Sequence, residues 1–206
     1  MKKGTLSSSV LALALVAGLI VATSPVAGQS VLIDVNQYDV NAVTFTTTGN
    51  FASANDSSQT EDNGVDLTSY FTAGVTDNGG PLSGSLTPAG AGNTAFDTWE
   101  TDDFFSTGTN LDLNLFSSTS GNTEDFTTSS AAFTGTVTIN LSAYLAELPA
   151  TGTMEPIYSG YGRNPGVVIG YWQVVPEPTS LAQLALGGFT LSGLLAWRTR
   201  RASSRR

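Results

Sequence analysis

Two uncharged apolar runs, one near each end of the 206-residue chain, confine any water-soluble fold to the residues between them. The first run, Val10–Ala22, follows Lys2 and Lys3, and the second run, Thr179–Trp197, precedes an arginine-rich tail. Runs of this kind are typical of targeting or membrane segments rather than of a soluble domain. The sequence therefore predicts one folded domain in residues 29–175, a length that suits a single hydrophobic core.

Residues 1–28 have the three parts of a secretory signal peptide. Lys2 and Lys3 form a positive n-region, Val10–Ala22 form an apolar h-region, and Pro25–Gly28 supply small residues for cleavage. The apolar run is short for a membrane span of ~20 residues, which favours cleavage after Gly28 over a retained N-terminal anchor. We therefore expect the domain that follows to be exported.

Residues 176–206 form a second three-part segment that begins with Pro176, Glu177 and Pro178. The uncharged run that follows would rise roughly 28 Å as a helix, close to the ~30 Å hydrocarbon core of a bilayer. Arginine is costly inside a bilayer, so a charged tail stops transfer and stays in the cytoplasm. The tail contains Arg198, Arg200, Arg201, Arg205 and Arg206.

The prolines of this segment predict a stiff and extended peptide before the apolar run. Each proline fixes φ and lacks a backbone donor, and the residue before a proline is driven towards extended conformations. A protease binds an extended substrate strand, so this stretch suits proteolytic processing. An ordinary proline-rich linker before a plain anchor helix is the alternative.

In order and position, these three parts resemble the PEP-CTERM sorting domain. The resemblance implies an exported bacterial protein that exosortase, a membrane protease, processes at or near the Pro-Glu-Pro motif. It also implies a cell that makes exopolysaccharide. Carried over to this chain, Pro176, Glu177 and Pro178 would be the recognition site, Leu181–Trp197 would be the membrane helix, and the arginines would be its stop signal.

The charge distribution and the missing residue types exclude several functions. Of the 17 acidic residues only Glu177 lies outside residues 29–175, and of the eight basic residues only Arg163 lies inside them. Phosphate backbones would be repelled by so acidic a domain, so no nucleic-acid partner is expected. The chain has no cysteine and no histidine, which excludes disulfides, thiol nucleophiles and imidazole chemistry.

Alternating apolar and polar residues predict an all-β domain. Phe133, Val137, Ile139 and Leu141 would share one face of a strand, with threonines on the other. Residues 110–115, 31–35, 42–47 and 167–175 are further candidate strands, and Gly- and Asn-rich turns separate them. Only residues 142–148 indicate a helical turn. The pattern favours an antiparallel β-sandwich with jelly-roll-like topology.

Four residues of the domain are candidate ligand-binding residues. Trp99 stands beside acidic residues and could stack on a sugar ring, and Tyr158 and Tyr161 lie in a glycine-rich stretch with Arg163. Burial in the core is the alternative for Trp99, because aromatic side chains bury large apolar areas. A structural ion pair is the alternative for Arg163.

Two carboxylates of the acidic stretch 97–103 could share a strand face. Glu100 and Asp102 would then lie about 6–7 Å apart along the strand, a spacing that permits acid–base glycoside chemistry. A solvated acidic surface explains the same residues, and we assign no catalytic residue.

Calcium is the one cofactor that the acidic residues suggest. Asp56, Glu61, Asp62 and Asp66 supply hard oxygen atoms, but their spacing does not match an EF-hand loop. We therefore predict neither a metal site nor another cofactor.

Together these features predict an exported cell-surface or extracellular-matrix protein with a non-enzymatic, structural role. Its expected partners are an exosortase-type protease, the membrane before processing, and exopolysaccharide. Two alternatives remain, namely a carbohydrate-binding module for exopolysaccharide and a carboxylate-dependent glycosidase.

Overall fold

The computed structural model describes residues 29–59, 64–76, 78–90, 93–103, 109–119, 124–160 and 166–176. The predicted signal peptide lies outside these residues, as does the sorting segment beyond Pro176. Within the described part of the chain, no helix is long and apolar enough to cross a membrane.

The described residues are almost entirely β-structure, which confirms the all-β prediction. A single 3-10 turn at Ser142–Tyr144 lies where the sequence indicated a helical turn. The eleven strands are β1 (Val31–Asn36), β2 (Val43–Thr47), β3 (Asp56–Gln59), β4 (Gly64–Leu67), β5 (Gly79–Pro88), β6 (Phe96–Asp102), β7 (Asp112–Phe116), β8 (Glu124–Phe126), β9 (Phe133–Ile139), β10 (Met154–Ser159) and β11 (Val168–Val174).

Nine of these strands form a closed barrel, in the order β1-β11-β10-β4-β7-β6-β5-β9-β2. Neighbouring strands are antiparallel except β1 and β11, whose parallel pairing includes Ile33 opposite Trp172 and Val35 opposite Val174. Strands β3 and β8 form a separate two-stranded sheet. The expected sandwich has two sheets with free edges, whereas here β1 bonds to both β2 and β11, so hydrogen bonding continues around the ring.

The interior of the barrel is apolar and well filled. Strand β9 follows its predicted alternation, with Phe133, Val137 and Ile139 buried. Trp172 and Phe45 pack on either side of Tyr70, with ring centroids 5.2 and 5.7 Å from that of Tyr70. The indole N–H of Trp172 donates to the carbonyl oxygen of Thr68 at 3.3 Å. These large rings fill the space that nine tilted strands enclose.

Strand β7 departs from the apolar and polar alternation predicted for residues 110–115, and β4 was not among the predicted strands. Leu113 and Leu115 belong to the core, as the alternation predicts. The alternating polar positions Asp112 and Asn114 are buried as well, and all four residues of β4 are buried. This part of the barrel wall is therefore enclosed on both faces.

Candidate functional site

The structure separates the predicted aromatic ligand residues. Trp99 is only 6% exposed and belongs to the core. Its partner across the β6–β7 pair is Leu115, which also faces the core. Tyr158 is half-buried, and it lies opposite Asp66 on the other face of the wall. Trp99 and Tyr158 therefore do not form one stacking surface, and Tyr161 and Arg163 lie outside the described residues.

The predicted processing motif begins where the described chain ends. The N–H of Val175 donates to the carbonyl oxygen of Val35 at 3.0 Å, and the next residue, Pro176, is exposed. Glu177, Pro178 and the five tail arginines lie outside the described residues. A cleft of about 160 Å³ lies beside this exit, lined by Asn36, Gln37, Tyr38, Thr151, Val174 and Val175.

Strand register gathers several polar residues on the face of the wall that points away from the core. Asn114 of β7 lies opposite Asp66 of β4 on one side and opposite Glu100 of β6 on the other. Asp112 lies opposite Asp102 in the same β6–β7 pair. Directly opposed residues share a face, so these side chains occupy one surface. We call Asp66, Asp102, Asp112 and Asn114 the wall cluster.

Backbone amides and one side-chain amide hold two of the wall-cluster carboxylates. Asp102 accepts from Asn114 Nδ2 at 3.0 Å through Oδ2 and from the Asp103 N–H at 2.7 Å through Oδ1. Asp112 accepts from the N–H of Ser69 at 2.6 Å. Ser69 has a φ of 52°, an uncommon left-handed conformation for a serine, and its N–H donates to Asp112 in that conformation.

Asp66 differs from these two carboxylates because neither of its oxygens has a hydrogen-bond partner, although the residue is 0% exposed. Asn114 is also 0% exposed, and its Oδ1 is unpartnered in the same way. Burial raises the pKa of Asp66 well above its ordinary value of 3.8, and the negative charges of Asp112 and Asp102 raise this pKa further. The three unsatisfied oxygen atoms therefore belong to two residues that lie directly opposite each other on β4 and β7.

The wall cluster is a poor candidate for glycoside hydrolysis. Glu100 and Asp102 share a face, as predicted, and both are half-buried. A carboxylic acid with a raised pKa suits a general acid, but it must reach the substrate, and Asp66 is fully enclosed. Among the described residues, no three Asp, Glu, His or Cys side chains are arranged to hold a metal ion. The three oxygen atoms without a hydrogen-bond partner belong to one carboxylate, that of Asp66, and to one amide, that of Asn114.

Asp56, one of the loop acids considered for calcium, is not a member of the wall cluster. It is the first residue of β3, it is buried, and it accepts from the Ser159 hydroxyl at 2.5 Å. Together with Asp125 of β8, it lines an open cleft of about 360 Å³. Glu61 and Asp62 lie outside the described residues.

The sequence places Asp66 among loop acids, and it places Asp112 and Asn114 on the polar face of the strand predicted at residues 110–115. The available signal was the placement of Asp66 between Val65 and Leu67, two apolar residues that a strand would turn towards the core. That signal identifies the face of the strand but does not show that the face is covered.

Comparison of the chain with protein-family models, with curated proteins and with solved structures finds no match.

Proposed function

We propose that the barrel is the exported part of a sorted cell-surface or extracellular-matrix protein with a structural, non-enzymatic role. A cleaved signal peptide would deliver it, and an exosortase-type protease would process it at Pro176, Glu177 and Pro178. The mature domain would then stay at the envelope surface or in the matrix, in contact with exopolysaccharide.

One observation supports this proposal above the others, namely where the barrel begins and ends. Strand β1 begins at Val31, shortly after the expected cleavage site behind Gly28, and β11 ends at Val174, shortly before Pro176. These two strands also pair with each other and close the ring. Every strand of the barrel thus lies between the two targeting segments, and removal of either segment would take no strand away.

The non-enzymatic part of the proposal is supported by the wall cluster and by Trp99. The carboxylate with the raised pKa is enclosed, and the tryptophan that stood beside the acidic residues is packed in the core. Neither group is placed to contact a polymeric substrate.

The test is the sequence of the mature protein in an exopolysaccharide-producing host that contains an exosortase. The full chain should yield mature protein without the peptides that follow the Pro-Glu-Pro region. Replacing Pro176, Glu177 and Pro178 with alanine should retain these peptides and keep the protein in the membrane fraction. Mass spectrometry of the terminal peptides and cell fractionation provide the readout.

The chain offers a matched control in a second Glu-Pro pair, Glu155 and Pro156. This pair lies within β10, which is bonded to β11 and β4 on its two sides, so a protease cannot take it up as a free strand. Glu155→Ala should leave processing unchanged. Mature protein that still ends at Arg206 in most copies would contradict the proposal.

A further inference from the structure

Three buried oxygen atoms of the wall cluster have no hydrogen-bond partner. A buried polar atom without a hydrogen bond is costly, and a buried carboxylate is more costly still, unless something binds it. Both oxygens of Asp66 and Oδ1 of Asn114 are in this state, and the two residues lie opposite each other on β4 and β7. The cluster therefore needs a positively charged or proton-donating occupant.

The side chains around Asp66 increase the need for a positively charged or proton-donating occupant. Asp112 and Asp102 add negative charge next to Asp66, and their effect on Asp66 is repulsive. The one amide donor at the centre, Asn114 Nδ2, is directed at Asp102 and not at Asp66. Residues 29–175 contain only one base, Arg163. Few cationic side chains are therefore available to neutralise the acidic residues of the domain.

We propose that the wall cluster binds a calcium ion, with both oxygens of Asp66 and Oδ1 of Asn114 as its protein ligands. Carboxylate and amide oxygens are typical calcium ligands, and calcium accepts six to eight oxygen atoms in a flexible geometry. Zinc favours His and Cys ligands, which the chain lacks. Magnesium requires a near-ideal octahedral arrangement, which opposed strand residues do not supply.

The donor set also indicates the strength of binding. One directly bound carboxylate and one amide are a low-charge set, so the affinity belongs in the range of extracellular calcium modules, about 10⁻⁴–10⁻³ M. Asp112 and Asp102 attract the ion without binding it directly. A proton on Asp66 competes with the ion, so binding weakens as the pH is lowered.

The experiment uses the full chain in non-ionic detergent, stripped with EDTA and then titrated with CaCl2 at pH 7. At 10 mM calcium, an affinity in this range raises the Tm by about 3–10 °C. Equilibrium dialysis should show one ion per chain. Magnesium at the same concentration should produce a much smaller shift.

Two variants separate this site from the general acidity of the domain. Asp66→Asn removes the charge without a change in shape, so the calcium shift should disappear and the calcium-free Tm should stay the same or rise. Asn114→Asp adds a carboxylate, so the calcium-free Tm should fall and the calcium shift should grow. Asp39→Asn, at an exposed turn residue, is the matched control and should keep the full shift.

Three results would overturn the proposal. The first is no response of the unchanged chain to calcium, which would mean that Asp66 is held by a proton. The second is an equal response in Asp66→Asn and in Asn114→Asp, which would place calcium elsewhere. The third is that Arg163→Gln lowers the Tm by an amount that calcium does not change, while the unchanged chain binds no calcium. Arg163 would then be the partner of the wall cluster.

Discussion

At the level of single residues, Asp66 and Asp97 show how strand position determines the behaviour of a carboxyl group. Asp66 is enclosed beside other acids, and its pKa is raised. Asp97 is exposed on β6 and accepts from the N–H and the hydroxyl of Ser118, both at 2.7 Å, and these hydrogen bonds lower its pKa. The two groups therefore make stability depend on pH with opposite signs.

In calcium-free buffer, Asp66 should make the protein less stable as the pH rises. The folded state keeps the proton on Asp66 above pH 3.8, where the unfolded chain begins to lose it, so this contribution is lost as the pH passes the raised pKa. Urea unfolding of the EDTA-treated chain between pH 4 and pH 8 measures the effect.

Asp66→Asn is the control for this measurement because asparagine does not titrate. Its free energy of unfolding should fall less between pH 4 and pH 8 than that of the unchanged chain. The groups that face Asp66 are Asp112 on β7, Asp102 and Glu100 on β6, and Tyr158 on β10. Parallel pH profiles for the two chains would show that the carboxyl of Asp66 does not cause the dependence.

At the level of elements, strands β5 and β9 approach each other through two glycines. Gly84 and Gly135 have φ values of 106° and 97°, a region that favours glycine. A Cβ atom on Gly135 would lie 2.0 Å from the carbonyl oxygen of Ser85, and one on Gly84 would lie 2.4 Å from that of Thr136. The pairing of these strands therefore requires glycine at both positions.

Gly135→Ala should destabilise the protein by about 3 kcal/mol or more, since the methyl group adds a backbone clash to an unfavourable φ. Gly49→Ala is the matched control, because Gly49 has a φ of 78° but no atom within 4 Å of its added Cβ. That change should cost only about 1–2 kcal/mol. Urea midpoints of both variants measure the difference, and equal losses would show that the contact with Ser85 is unimportant.

At the level of the whole molecule, the first and last strands of the domain are direct neighbours. β1 bonds to β11 along one edge and to β2 along the other, so the ring closes only after β11 is in place. Closure removes the free edges through which strands of the barrel could pair with other chains. Such a domain would keep its stability after the sorting segment is removed.

Deletion of residues 177–206 should therefore leave the Tm of the barrel unchanged. Deletion of residues 171–206 is the matched comparison, because it also removes Trp172 and the end of β11, and it should abolish cooperative unfolding. Thermal unfolding followed by circular dichroism distinguishes the two. A large loss of Tm in the shorter deletion would show that the tail supports the barrel.

Part of the strand content was predictable, because alternating apolar and polar residues indicate which face of a strand is buried. The predicted strand at Phe133–Leu141 corresponds to β9, and residues 167–175 correspond to β11. The closed ring was not predictable, since alternation does not specify which strand bonds to β1. The wall cluster was missed for a related reason, since Asp66, Asp112 and Asn114 have the pattern of a wetted face.

The sequence alone determined that the domain is acidic and all-β, and it located five of the eleven strands, namely β1, β2, β7, β9 and β11. Tertiary structure alone decided that β1 and β11 close a barrel, that Trp99 lies inside it, and that Asp66 and Asn114 are enclosed together. The reason is the separation along the chain over which each feature acts. Side-chain period and charge act between neighbours in the chain, whereas strand pairing and the covering of a face depend on residues far apart in sequence.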